Sequence, residues 1–139
     1  MKNVSTQSQV ALHVVVSRVS ASSIPSATRK NSFIINDVPA GMEASTDEHM
    51  LATILGSLLS AVITHTENTC IRISAQHYGR IVLLHLKEAQ LVSSPNFAGG
   101  IRQVQQLAEK IGGTVSVTNE PGEGTTIVFG FVNNLPVAA

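Results

Sequence analysis

Between residues 51 and 63 the sequence LATILGSLLSAVI sets Leu51, Ile54, Leu55, Leu58, Leu59, Val62 and Ile63 in steps of three, one and four. At about 100° per residue these side chains cover one face of an α-helix. Such a face must be buried against another layer, so the rest of the chain has to supply one. Ser45-Thr46-Asp47-Glu48 fits a capping box ahead of the stripe, with Ser45 as cap and Glu48 three positions on, and the helix should run to about His65. The run 50–63 is shorter than the ~18 residues that begin to look membrane-spanning, and Thr53, Ser57 and Ser60 interrupt it. It reads as a core helix.

The covering layer is legible on either side. In 10–23, Leu12, Val15, Val16 and Val19 keep helical spacing, although their β-branched valines leave a strand open as an alternative, and Pro25 should end whichever forms. NSFIINDV (31–38) looks like a short strand and PAGMEA a loop. TCIRISA (69–75) and RIVLLHL (80–86) read as neighbouring strands joined at QHYG. A third helix should begin near Gly100, carry Ile101, Val104, Leu107, Ala108 and Ile111, and stop at Gly112-Gly113. TVSVT and TTIVFGFV flank NEPGEG as two last strands. The expected order is helix, strand, helix, strand, strand, helix, strand, strand. The implied fold is α+β: a two-layer sandwich of a mixed sheet covered on one face by about three helices. The domain should span 10–132, with 1–9 an N-terminal segment and 133–139 a loose tail.

Composition narrows the function classes. In 139 residues, 43% hydrophobic and 13% charged, a sizeable core is available. Lys+Arg 9 balance Asp+Glu 9, so no basic field draws the chain to nucleic acid, and with no Trp and one Tyr there is little to stack bases on. One cysteine, Cys70, rules out an internal disulfide framework and suits a reducing compartment. Polar NVSTQSQ separates Lys2 from the short apolar VALHVVV, unlike a signal peptide, so a cytoplasmic location without membrane attachment is expected.

Two segments resemble the ATPase domain of sensor histidine kinases, within the superfamily that includes the gyrase, Hsp90 and MutL ATPases and the anti-sigma-factor kinases. GGIRQVQQLAEKIGGTVSVTNEPGEGTTIVFGF is similar to the kinase pattern of a glycine motif, helix, Gly-Gly, strand, P-x-G-x-G-T turn and final strand. DEHMLATILGSLLSAVITHT is similar to the kinase helix D-x-x-x-L-x-x-x-L-x-N-L-L-x-N-A. The resemblance runs from about Val10 to Val132 and implies a nucleotide pocket, whose positions can be matched in turn. The magnesium-holding Asn falls at Ala61, and the Asn four residues earlier at Ser57. A methyl group cannot ligate Mg²⁺. Read without the resemblance, two small residues four apart are packing positions. The adenine-reading Asp of D-x-G-x-G falls at Glu88, whose extra methylene displaces the carboxylate, with Gln90 and Val92 at the glycine positions. A lone Glu after a strand otherwise reads as a solvated loop charge. The family's long lid shrinks to about ten residues, 89–98. The second glycine motif becomes Ala98-Gly99-Gly100, where a helix N-terminus could still hold an anion.

No other chemistry stands out. His13, His49, His65, His77 and His85 show no metal-ligand spacing; His65 should be structural, His49 exposed, and His85 opposite Leu84 and Leu86 on its strand. Cys70 should be a buried thiol without a base. No catalytic or metal-binding residue is assigned. The resemblance therefore implies a degenerate domain with a lost Mg-ATP site and no cofactor, recognising a protein partner, a kinase or a response regulator, in bacterial two-component-type signalling. Homo-oligomerisation stays open. Nothing ahead of Val10 reads as the helical hairpin that carries the phosphorylated His in such systems. One alternative is a stand-alone histidine or anti-sigma-type kinase domain binding ATP and Mg in a reduced pocket. Another is a small-molecule sensor using the vacated pocket.

Overall fold

The computed structural model describes residues 7–133 apart from Leu91 and Ser93. Its elements run β1 (Gln7–Ala11), α1 (Leu12–Arg29), β2 (Phe33–Asn36), β3 (Glu43–Asp47), α2 (Glu48–Thr64), β4 (Cys70–Tyr78), β5 (Ile81–Glu88), α3 (Pro95–Glu109), β6 (Thr114–Glu120) and β7 (Gly124–Val132). Five strands form one mixed sheet in the order β2-β4-β5-β7-β6, with β2 parallel to β4 and the other pairs antiparallel. The three helices cover one face, which gives the expected α+β sandwich.

The α2 stripe is the centre of the core. Leu51, Ile54, Leu55, Leu58, Leu59, Val62 and Ile63 are all buried, together with Ile71, Ile73, Leu84, Leu86, Ile127, Phe129 and Phe131 from the inner sheet face. Removing each such side chain from water stabilises the fold by about 2 kcal/mol before the opposing chain entropy is counted. Along β5, Val82, Leu84 and Leu86 point in while Leu83, His85 and Lys87 point out, as period-two alternation requires.

Several local expectations are corrected. Ser45 does not cap α2: it lies in β3, and Asp47 is the cap, its Oδ1 accepting the Met50 N–H at 3.0 Å. PAGMEA is not wholly loop, because β3 begins at Glu43 and pairs antiparallel with β1 in a separate two-stranded sheet. Both strands are polar, and only the burial of Val10, Ala44 and Thr46 reveals them. Residues 10–23 divide between the two alternatives: Val10 and Ala11 are strand and the helix starts at Leu12. That helix continues through Pro25 to Arg29, held at its end by the buried Ala27, whose carbonyl accepts the Ser32 N–H at 2.8 Å. Cys70 is half-buried rather than buried. Residues 134–139, most of the expected tail, lie outside the described residues, whereas the Asn133 side chain accepts the Ser45 N–H at 2.8 Å.

The hairpin around NEPGEG shows why its glycines differ. Gly122 has φ 84° with open space where a side chain would be. Gly124 has φ 97°, and a Cβ there would overlap the Glu88 carbonyl oxygen and lie 2.6 Å from the Ala89 carbonyl carbon. The turn is pressed directly onto the exit of β5. Gly122→Ala should cost about 1 kcal/mol of unfolding free energy by urea denaturation, and Gly124→Ala roughly 3 kcal/mol or more, since it adds a backbone clash to the strained φ. Equal costs would contradict the close approach.

Candidate functional site

The face of α2 opposite its apolar stripe borders an open groove of about 520 Å³, with α3 as its other wall. Ser57 and Ala61, four residues apart on α2, line it together, joined by Gly100 from α3. Thr53 and Ser60 add hydroxyls from α2, and Asn96 and Gln103 add carboxamides from α3. No charged side chain is among its lining residues. Three of the five sequence-matched positions are thus brought together.

The other two are not. Helix α3 begins at Pro95, with Ser94 as its cap accepting the Phe97 N–H at 3.1 Å, instead of near Gly100. Gly99 and Gly100 therefore sit inside the helix, where their N–H groups belong to the backbone ladder and are not free for an anion. The sequence signal for this earlier start is Ser94-Pro95, a capping residue followed by proline at the first helical position. Because α3 claims residues 95–98, the connection from β5 is shorter still than the expected lid.

Glu88 is the larger correction. It is not a solvated loop charge but the last residue of β5, only 5% exposed. Its Oε1 accepts the Gln90 N–H at 2.8 Å, while Oε2 is buried with no hydrogen-bond partner among the described residues. Burial pushes its carboxyl above the ordinary carboxylate range; the Gln90 N–H offsets part of this, with smaller opposing effects from the Thr125 and Thr69 hydroxyls.

The residues after Glu88 are pinned. The Val92 N–H donates to Thr125 Oγ1 at 2.9 Å, and that hydroxyl donates to the Gln90 carbonyl at 2.7 Å. Asn119 Nδ2 donates to the Val92 carbonyl at 3.2 Å. Gln90 bonds the backbone of Glu67 through both ends of its carboxamide. Val92 and Phe97 are buried beneath this segment. At the end of the groove, His65 lies edge-on to Phe97 with ring centroids 5.6 Å apart at 74°, its Nδ1 3.4 Å from Ser94 Oγ. His65 is thus packed, as expected of a structural residue, and its partner Phe97 extends the α3 stripe of Ile101, Val104 and Ala108 by one turn, a periodic signal for the earlier helix start.

Among the described residues no cluster of three or more His, Cys, Asp or Glu could hold a metal, and no helix is long and apolar enough to cross a membrane. His49 is exposed on the first turn of α2. His85 is half-buried on the sheet's outer face, where burial and then the neighbouring Lys87 charge lower its pKa.

A mixed five-stranded sheet under three helices, with a groove between the long second helix and the third, is the fold of the histidine kinase catalytic, or ATPase, domain. Histidine kinase AdeS of Acinetobacter baumannii superposes with a TM-score of 0.80 at 13% identity, over 92% of this chain and 68% of that one. Full-length ShkA in complex with AMPPNP gives 0.76 at 21% identity, over 96% of this chain and 32% of that one. Histidine kinase ThkA in complex with the response regulator TrrA gives 0.74 at 11% identity, over 92% and 42%. No protein-family model matches the sequence, and no curated protein matches it.

The buried carboxyl sets a pH dependence. A carboxyl whose folded pKa exceeds its unfolded value binds more protons folded than unfolded, so its contribution is fully present below the unfolded pKa and is lost as pH rises through the folded pKa. Glu88→Gln should therefore raise the melting temperature at neutral pH and flatten the decline in stability as pH rises above the ordinary carboxylate range. A variant that melts lower at every pH would show that ionised Glu88 is stabilising.

Proposed function

We propose that this chain is a histidine-kinase-type ATPase domain whose Mg-ATP site has been lost, and that it works by protein recognition in bacterial two-component signalling in the cytoplasm. The supporting observation is the lining of the α2–α3 groove, where Ala61 presents a methyl group at the metal-holding position and no charged side chain borders the space. A triphosphate with Mg²⁺ needs oxygen donors in octahedral array and charge to neutralise its oxygens. The groove's lining oxygens are neutral hydroxyls and carboxamides with no cation beside them, which supports the lost-site reading. The pinned Gln90 and Val92 support the same reading, because they fill positions at which glycine would let a nucleotide approach. The partner class follows the neighbours: ThkA is seen with a response regulator, so a response regulator or a kinase is the natural candidate here.

One observation favours a second reading, a reduced nucleotide binder. Glu88 Oε2, buried without a partner, is what a carboxylate awaiting a hydrogen-bond donor looks like. Calorimetric titration with AMPPNP, with and without Mg²⁺, separates the two. The lost-site reading expects no heat at millimolar nucleotide in either condition. A magnesium-dependent isotherm overturns it. Magnesium-independent binding that disappears in Glu88→Gln would establish the reduced pocket instead.

A further inference from the structure

The sheet has a second face that none of the three helices covers, and along β4 and β5 its side chains run from basic at one end to apolar at the hairpin, with the exposed Phe33 of β2 flanking the basic end. Tyr78 and Ile81, opposite each other at the β4–β5 hairpin, are 60% and 39% exposed. Leu83 lies next on this face, its Cδ2 only 2.9 Å from where a Gly130 Cβ would stand, with Ile81 and Thr114 also around that position. The missing Gly130 side chain leaves Leu83 lying across β7 and keeps this end of the face flat and apolar.

The other end is basic and poorly compensated. Arg72 of β4 and Lys87 of β5 are directly opposite each other in the antiparallel register and share the outer face. Like charges placed directly across a strand pair destabilise it. Arg72 is relieved by an ion pair with Asp37. Lys87 is exposed and forms no ion pair among the described residues. Its charge reaches His85, two residues along on the same face, whose pKa is lowered by burial first and then by Lys87. The cross-strand neighbours of His85 and Lys87, apart from Arg72, are Ser74, Val128 and Thr126, none of them acidic. A chain with balanced charge thus sets a cationic pair on this face with one carboxylate, that of Asp37, bonded to it.

We infer that this outer sheet face, from Lys87 and Arg72 to Leu83, Ile81 and Tyr78, is a docking surface for an acidic, amphipathic segment of a partner protein. Carboxylates of the partner complete the Arg72–Lys87 pair, and its apolar side chains cover Leu83 and Ile81. The distance fits one short element, since the strand from Ile81 to Lys87 spans about 20 Å, which a helix of about 14 residues matches. A peptide is favoured over nucleic acid or lipid because half of the surface is apolar and its exposed rings do not neighbour each other. Tyr78 sits at the hairpin, whereas Phe33 of β2 pairs with Cys70 at the far end of β4, too distant for the two to stack successive bases. This surface lies on the face opposite the α2–α3 groove. Nucleotide binding would therefore defeat the lost-site reading without touching this inference, and the reverse also holds.

The test is an NMR titration of the whole chain with a synthetic helical peptide of about 14 residues. The peptide carries glutamates at one end and leucines at the other, and a control has every glutamate replaced by lysine. Amide shifts should cluster on β4, β5 and β7, weaken as salt is raised, and be absent with the lysine control. Lys87→Glu should weaken binding about tenfold and Ile81→Ser about threefold. Because Lys87→Glu sets a carboxylate opposite Arg72, it should unfold at the same or higher urea concentration than the parent, which separates lost docking from lost folding. The inference is overturned if no outer-face amide moves at millimolar peptide, if the shifts map to the helices, or if Lys87→Glu binds unchanged. Equal outer-face shifts with a short RNA or with anionic vesicles would also overturn it, since the surface would then read bare negative charge.

Discussion

Everything in this fold is referred to one contact, the apolar stripe of α2 laid along the inner sheet face. Ile54, Leu55, Leu58 and Leu59 are fully buried against a floor that includes Ile71, Ile73, Leu84, Leu86 and Phe129. Once that face is committed, the helical period leaves no freedom in where the others point. Ser57, Ser60 and Ala61 must turn toward α3, so the chemistry of the groove follows from which residues the stripe excludes.

A second constraint acts at the end of the central strands. The turn after β6 approaches the exit of β5 so closely that only glycine fits at Gly124. Thr125, the next residue, then holds the segment after Glu88 by hydrogen bonds to Gln90 and Val92. The Glu88 carboxyl is sealed beneath as a result, with one oxygen satisfied and the other not. A turn that is structural in itself thereby sets the electrostatics of a residue more than thirty positions earlier. The site owes its shape to this clamp as much as to the residues that line it.

The two faces of the sheet have opposite balances. The inner face is closed: its apolar side chains are buried beneath the helices, and the unmet oxygen of Glu88 is its one exception among the described residues. The outer face keeps interactions unmade, with Arg72 set against Lys87 and exposed apolar groups at the hairpin. Folding tolerates that arrangement because exposed like charges are screened by water and salt. The same features make the outer face the part of the surface with most to gain from a partner.

The α2 stripe, the alternation in β4, β5 and β7, and the Gly-Gly stop after α3 are legible because each is a local period or a local backbone requirement. So is the methyl group at Ala61, since residue identity needs no coordinates. The start of α2 is not, because Ser45 and Asp47 are both good caps. Only the competition among tertiary contacts chooses between them. The β1–β3 pair is invisible for a related reason: strands so polar are defined by each other and by burial of Ala44 and Thr46, not by any pattern of their own. By itself the sequence determined the layers and the chemistry available to the groove. The tertiary structure alone decided that Glu88 is buried and that two cations face each other across a strand pair. Burial and register arise between segments distant in the chain, and no local period encodes them.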